Sequence, residues 1–123
     1  MLGTSTETPT GVNLDVREIP GGDGQPMELR CFTPQPAAQS SAAQGRAGCS
    51  AILLTFHGGG YVAGRARFDD VHNAELAEYL GAIVLSADYR LAPEFSVDRA
   101  VADCRSALLY ALERGREWGR EVY

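Results

Sequence analysis

The HGGG motif at residues 57–60 carries the strongest chemical signal in the sequence. It follows an apolar run at 51–56, which is typical of a buried strand, so the motif is predicted to leave the end of that strand. Glycines adopt backbone angles closed to other residues, and their N–H groups can form a nest for negative charge. The oxyanion of an acyl-transfer reaction requires such a nest. A turn that merely needs glycine is the alternative, and the triplet taken alone favours that turn.

A second group, DYRLAPE at 88–94, follows the next apolar run. Asp88 and Arg90 leave a buried strand together, which suits a network that holds the strand end against the neighbouring loop. Taken alone this pattern is structural, because a paired Asp and Arg in a polar cap is commoner than a catalytic Asp. Tyr89, between them, either lines a pocket or packs in the core.

Two kinds of strand are predicted to position these motifs. Alternating polarity at 12–19 and 27–32, around a glycine-rich turn at 21–24, predicts an antiparallel hairpin. The continuous apolar runs at 51–56 and 83–87 predict strands covered on both faces.

Helical spacing predicts one helix after each of these two strands. The first begins near Phe68 and ends at Gly81, and the second begins with Ser96 as its N-cap and ends at Gly115. The resulting order, β-β-β-α-β-α, requires a parallel strand pair with a right-handed crossover, so we predict an α/β layer fold. The buried face of the second helix is predicted to consist of Val97, Val101, Cys104, Leu108 and Leu112.

Length and composition favour a single domain spanning 1–123, with a flexible N-terminus at 1–11 and a flexible linker at 34–48. The net charge of −5 argues against nucleic acid or an anionic membrane as the main partner. All 11 basic residues are Arg, which excludes lysine nucleophiles and Schiff bases. No segment has the features of a targeting signal or a membrane span, which predicts a cytoplasmic protein. Cys31, Cys49 and Cys104 are predicted to be reduced thiols without a disulfide or a metal.

Together, HGGGYVAG at 57–64 and DYRLAPE at 88–94 resemble the hormone-sensitive lipase family of α/β-hydrolases. The two motifs stand in the family's order with one helix between them, and the resemblance extends from about Leu14 to the C-terminus. It implies the N-terminal portion of an α/β-hydrolase domain, which is a partial and incomplete fold. It also implies a carboxylesterase or lipase-like enzyme that acts on small acyl esters without a cofactor.

The resemblance also implies roles for individual residues of the two motifs. Gly59 and Gly60 would donate the N–H groups of the oxyanion hole, and Tyr61 would border the acyl pocket. His57 would brace the loop by hydrogen bonding and would not act as the catalytic base. The residues that would support the loop are His57, Gly58, Asp88, Arg90 and Glu94.

Several departures from the family pattern limit what these 123 residues can do. The family nucleophile lies in a G-x-S-x-G elbow and its acid and base follow later, but no serine here stands between glycines at that spacing. No histidine follows His72, which is predicted to be a solvated or capping residue of the first helix. The acidic residues around it are predicted to form a solvated face, not a metal site. Without nucleophile and base, the chain alone is predicted to be inactive.

Two other functions are compatible with parts of the sequence. Gly58, Gly60 and Ala63 fit G-x-G-x-x-A, with Asp88 at the end of the next strand, as in dinucleotide binding. That function requires a helix that starts at the glycines, whereas the predicted helix starts later. A non-catalytic interaction module, or the small partner of a split hydrolase, is the other alternative. The strand at 51–56 would then be an uncovered edge, which predicts self-association or a complementing chain.

Overall fold

The computed structural model describes residues 11–35, 51–60 and 63–123 of the chain. One five-stranded sheet, in the order β1-β2-β4-β3-β5, organises these residues. A short 3-10 turn, Ala66–Asp69, leads into the first helix. The helices and strands, in chain order, are β1 (Val12–Pro20), β2 (Pro26–Pro34), β3 (Ala51–Phe56), α1 (Asp70–Leu80), β4 (Ile83–Ala87), α2 (Val97–Trp118) and β5 (Glu121–Val122).

The predicted hairpin and the predicted parallel unit are both present. β1 and β2 pair antiparallel, β4 joins β2 antiparallel, and β3 lies parallel to β4. On one face of the sheet α1 packs Ala74 and Ala77 into a small apolar cluster. On the other face α2 packs Ala107 and Ala111 into the larger cluster. The α/β architecture predicted from the sequence is confirmed.

The C-terminal end of α2 differs from the prediction, whereas its N-terminal end agrees with it. Ser96 is the N-cap, and its side chain accepts a backbone N–H of the first turn. The predicted end at Gly115 is wrong, because the helix continues to Trp118 and ends before Gly119, whose φ is 67°. A Cβ at Gly115 would lie 2.7 Å from the carbonyl oxygen of Arg120. Gly115 therefore lets the following chain pack against the helix.

The buried face of α2 also differs from the prediction. The residues predicted to be buried there include Val97, Val101, Leu108 and Leu112, and they are 42% to 52% exposed. Small side chains let the helix lie close to the sheet, and the larger apolar residues therefore fall on its outer side. The residues that α2 buries are Ala100, Asp103, Ala107, Ala111 and Gly115.

The β3 edge is covered over most of its length, so the predicted uncovered edge at Ala51–Phe56 is wrong there. β5 pairs in parallel with Ala51 and Ile52. The ladder continues because Tyr123 donates to the Ile52 carbonyl and accepts from the Leu54 amide, both at 2.9 Å. The prediction that this strand is covered on both faces is confirmed at Ile52, which is fully buried. It is wrong at Phe56, which is 44% exposed.

Some predictions fall outside the described residues. The segments predicted to be flexible, 1–11 and 34–48, lie outside them except at Gly11, Pro34 and Gln35, and so does Cys49. Among the residues that are described, none of the helices has the length and apolar composition needed to cross a bilayer.

Candidate functional site

The loop after β3 begins at a buried histidine and continues through three exposed glycines. The side chain of His57 is only 2% exposed. Gly59 and Gly60 have φ angles of 127° and 64°, in the region that favours glycine. A Cβ at Gly59 would lie 1.9 Å from the Ala63 carbonyl oxygen, so a side chain there would collide with backbone. The loop therefore needs glycine at these two positions for its shape.

Gly64 closes the HGGGYVAG motif and is a residue whose role the sequence reasoning missed. Its φ is 88°, and a Cβ there would lie 2.3 Å from the Gly58 carbonyl oxygen and 2.9 Å from Nδ1 of His57. Its backbone therefore packs directly against the beginning of the loop. Its position as the last glycine of the motif is the feature of the sequence that could have indicated this role.

Three successive carbonyl groups of the loop accept hydrogen bonds from the protein. The Tyr89 hydroxyl donates to the His57 carbonyl at 2.6 Å. Nδ1 of His57 donates to the Gly58 carbonyl at 2.8 Å. The Ala63 amide donates to the Gly59 carbonyl at 3.1 Å. A trans peptide directs its C=O and N–H to opposite sides, so each bond to a carbonyl also sets the direction of the next amide.

The three glycine amides, in contrast, donate to no acceptor within the part of the chain that the structure describes. A cleft of about 480 Å³ opens beside this loop, and Gly58 and Gly60 line it but Gly59 does not. Gly58, which the sequence analysis assigned only to loop support, borders this cleft together with Gly60. Converging N–H groups beside a concave volume can bind an anion. The cleft is lined by Phe56, His57, Gly58, Gly60, Tyr89, Val101 and Cys104.

The His57 imidazole is tied to the backbone of the loop that it begins. Its ring stacks on that of Tyr89, with centroids 4.1 Å apart and planes 1° from parallel. Because a carbonyl oxygen only accepts, the contact with the Gly58 carbonyl assigns a proton to Nδ1. Nε2 has no hydrogen-bond partner in the described residues and lies 3.9 Å from the Asp88 carboxylate.

Asp88 ties the chain after the loop to the end of β4. Its carboxylate accepts hydrogen bonds from the Arg65 guanidinium at 2.7 Å and from the Ala66 amide at 2.9 Å. Burial acts to raise the pKa of Asp88, but the hydrogen bonds from Arg65 and Ala66 outweigh it, and the pKa is lowered. The carboxylate is therefore ionised at neutral pH and anchors the segment that follows the glycines.

Residues 53–122 match a protein family that has the α/β hydrolase fold. The chain belongs to this α/β hydrolase family. Lipase 2 of Moraxella sp. (strain TA144) is 31% identical over 118 residues, covering 94% of this chain and 26% of that protein. Esterase LipI of Mycobacterium tuberculosis is 33% identical over 101 residues, covering 82% and 29%. Human hormone-sensitive lipase is 39% identical over 62 residues, covering 50% and 6%. The predicted resemblance to the hormone-sensitive lipase family is confirmed.

Solved hydrolase structures agree with this assignment. A bacterial heroin esterase superposes with a TM-score of 0.74 at 33% identity, covering 98% of this chain and 36% of that chain. EstE1, a thermostable carboxylesterase from a metagenomic library, gives a TM-score of 0.71 at 28% identity, covering 93% and 35%. The chain spans about a quarter of the curated relatives it matches first (26%, 29% and 22%) and about a third of these solved structures.

Two other residues predicted to support the loop at 57–60, Arg90 and Glu94, do not bind it. The Arg90 guanidinium binds Asp103 at 2.6 Å and also pairs with Asp23. No hydrogen bond, ion pair or cation–π contact in the described chain joins it to residues 57–60. Glu94 is exposed and borders a second cleft of about 240 Å³, without a hydrogen bond or ion pair among the described residues. Tyr61 lies outside the described residues.

The side chains that line the cleft beside Gly58 and Gly60 include no activated nucleophile within the described residues. Burial, followed by the neighbouring Asp103 carboxylate, raises the pKa of Cys104 to about 11, so its thiol stays protonated at neutral pH. The described serines, at 86, 96 and 106, do not line the cleft. No group of three or more potential ligands is placed to hold a metal in the described chain. As far as the structure describes it, the lining of the cleft thus consists of loop backbone, aromatic and aliphatic side chains, and a protonated thiol.

The helix that follows the glycines starts too late for the dinucleotide alternative. α1 begins at Asp70, ten positions after Gly60. Its N-terminal amides are therefore not at the glycines, where a pyrophosphate would need them. His72 is exposed on α1 and lies outside the cleft.

Proposed function

We propose that this chain supplies the oxyanion-hole loop of a serine carboxylic-ester hydrolase, with the amides of Gly59 and Gly60 as donors. The observation that carries the proposal is that the carbonyls of residues 57–59 are all hydrogen-bonded while the next three amides have no acceptor in the described chain. Membership of the α/β hydrolase family and relatives named lipase and esterase support it.

The chemistry of the proposed site is electrostatic stabilisation. When a nucleophile adds to an ester carbonyl, the carbonyl oxygen gains negative charge, and donors that already point towards it stabilise the transition state. The walls of the cleft, with Phe56, Tyr89 and Val101, contain no Asp, Glu or Arg side chain among the described residues and suit a small neutral acyl ester. This chemistry needs no cofactor or metal.

Anion binding by the glycine amides tests the proposed function directly. The chain, labelled with 15N at glycine, is titrated with butanoate and followed by NMR. We expect the cross-peaks of Gly59 and Gly60 to move in a saturable way, because neither amide donates to an acceptor in the described chain. Butanamide, which has the same shape without the charge, is the matched control. Equal shifts with both compounds, or shifts confined to the hairpin glycines at 21–24, would contradict the proposal.

We also propose that the 123 residues alone do not hydrolyse esters, because they contain no G-x-S-x-G elbow and no histidine after His72. The measurement is release of p-nitrophenol from p-nitrophenyl butyrate, compared with a heat-inactivated sample. Turnover that survives replacement of every serine would refute this reasoning. The cytoplasmic location stays a prediction.

The outer face of α2 supports a separate proposal about association. Leu108, Leu109 and Leu112 are 42% to 48% exposed on this helix. Because exposed apolar patches are typical of association sites, we propose that the chain self-associates through this face. Leu108→Gln with Leu112→Gln is expected to shift the chain towards monomer in size-exclusion chromatography, whereas Glu113→Gln is not. A stable monomer of the unsubstituted chain would contradict it.

A further inference from the structure

We propose that Tyr89 is a positioning residue for the glycine loop, an inference that rests on the proposed function of Gly59 and Gly60. Tyr89 is 6% exposed and makes two separate contacts with His57, one through its hydroxyl and one through its ring. The sequence analysis left two roles possible for this residue, lining a pocket or packing in the core. The two contacts act on different peptide planes of the loop.

The hydroxyl of Tyr89 sets the first of these planes. It donates to the His57 carbonyl at 2.6 Å, across 32 positions of the chain. A buried hydroxyl needs an acceptor, and this carbonyl stands where the chain leaves the ladder of β3. Because the peptide is trans, the bond also directs the Gly58 amide away from Tyr89.

The ring of Tyr89 acts on the second plane through His57. The two rings are parallel at 4.1 Å, which restricts rotation of the imidazole. From that position Nδ1 reaches the Gly58 carbonyl at 2.8 Å and so sets the Gly59 amide. The third plane is held independently, since the Gly59 carbonyl accepts from the Ala63 amide. Tyr89 therefore controls the amides of Gly58 and Gly59, and leaves that of Gly60 to Ala63.

This division predicts a graded response of the glycine amides to two substitutions. Tyr89→Phe removes only the hydroxyl and is expected to move or broaden the Gly58 cross-peak in a 15N-glycine spectrum. Tyr89→Leu also removes the stacked ring and is expected to disturb Gly59 as well, with Gly60 least affected. Butanoate affinity is expected to fall by about threefold to tenfold in Tyr89→Leu, as for the loss of one hydrogen bond from Gly59, and to change less in Tyr89→Phe. The matched control is Tyr110→Phe, whose hydroxyl accepts from Arg17 at 3.1 Å in the hairpin.

The possible outcomes separate this proposal from the proposed function. An unchanged Gly58 cross-peak in Tyr89→Phe, or the same change in Tyr110→Phe, would overturn the role of Tyr89. A Tyr89→Phe chain that does not fold, beside a folded Tyr110→Phe chain, would show that the hydroxyl is a general stabilising contact and would also overturn it. If the unsubstituted chain does not bind butanoate, the proposed function fails, while the graded spectra still decide whether Tyr89 sets the loop.

Discussion

Two glycine-rich turns of this chain use their backbone hydrogen bonds in opposite ways. In the hairpin turn at 21–24, the amides of Gly21, Gly22 and Gly24 each donate to an acceptor of the protein, at 2.8 to 3.0 Å. In the loop at 57–60 the carbonyls accept hydrogen bonds, whereas the glycine amides donate to nothing in the described chain. The first turn thus pairs its donors. The second leaves its donors without partners in the described chain, and two of its glycines, Gly58 and Gly60, line a cleft.

The difference shows why glycine content alone could not separate a structural turn from a binding loop. Both segments need glycine for positive φ, at Gly24 in the hairpin and at Gly59 and Gly60 in the loop. A turn that only reverses the chain gains by pairing its amides, since an unpaired donor loses a hydrogen bond. A loop held through its carbonyls keeps its shape without its amides, which leaves them available to a ligand. The hydrogen-bond partners therefore distinguish the two.

Removing the acceptor of the hairpin turn is expected to have the largest effect on stability. The Asp103 carboxylate is fully buried and accepts from the Gly22 amide and from the Arg90 guanidinium. Removing one partner of a buried pair costs about 3–5 kcal/mol, and Asp103→Ala should lower the free energy of unfolding in urea by that amount. Asp15→Ala, at an acid whose side chain is 57% exposed, should cost less than about 1 kcal/mol. Equal losses in the two variants would refute the assignment of this anchor.

Gly59→Ala is expected to act mainly on the loop and is the second largest effect. The added Cβ would meet the Ala63 carbonyl oxygen at 1.9 Å, so the backbone of the loop has to move. We expect a loss of about 1–3 kcal/mol in the free energy of unfolding, and loss of butanoate binding by NMR. Gly58→Ala is the matched variant, because a Cβ there meets nothing within 4 Å. If Gly58→Ala is as destabilising as Gly59→Ala, the close approach to Ala63 is not the cause.

Acid is expected to weaken both regions, because each is anchored by an ionised carboxylate. Burial acts to raise the pKa of both Asp88 and Asp103. Hydrogen bonds from Arg65 and the Ala66 amide outweigh this effect at Asp88, and hydrogen bonds from Arg90 and the Gly22 amide outweigh it at Asp103. The pKa of each carboxyl group is therefore lowered from its ordinary value. A carboxylate with a lowered pKa stabilises the fold above its ordinary pKa, and this contribution disappears as the pH falls through the lowered value. The free energy of unfolding should therefore decline below about pH 4.

Urea titrations at several pH values measure this decline, and Asp103→Asn serves as the control. The variant should start from a lower stability at neutral pH and lose less of it in acid. A variant with the same acid slope as the unsubstituted chain would show that Asp103 does not contribute to it.

The sequence predicted most of the fold and the location of the candidate site, because local patterns encode both. Alternation at 12–19 and 27–32 specified the hairpin, and HGGG and DYRLAPE specified the family and the ends of two neighbouring strands. Helix ends at Ser96 and Gly81 followed from capping rules, since a cap depends on adjacent residues.

The features that escaped prediction depend on contacts between distant segments. The leucines of α2 repeat at helical spacing, but the alanines beside them repeat as well, and only packing against the sheet decides which face is buried. Gly115 resembles a helix stop unless the approach of Arg120 is known. β5 has two residues, too few for any alternation to show, so its cover of Ala51 and Ile52 could not be read from the sequence. The Tyr89 hydroxyl and the His57 carbonyl meet only in three dimensions.

The smallest expected effect comes from a matched pair of substitutions, Gly24→Ala and Gly60→Ala, which compares the two turns directly. Both glycines have positive φ, 84° and 64°, and an added Cβ meets nothing within 4 Å at either position. The cost of left-handed backbone is therefore similar, about 1–2 kcal/mol each in the free energy of unfolding. Only Gly60→Ala should weaken butanoate binding, because only its amide lies beside the cleft and lacks a partner in the described chain. If Gly24→Ala weakened binding equally, a general loss of stability would explain the effect, and the contrast between the two turns would have no functional meaning.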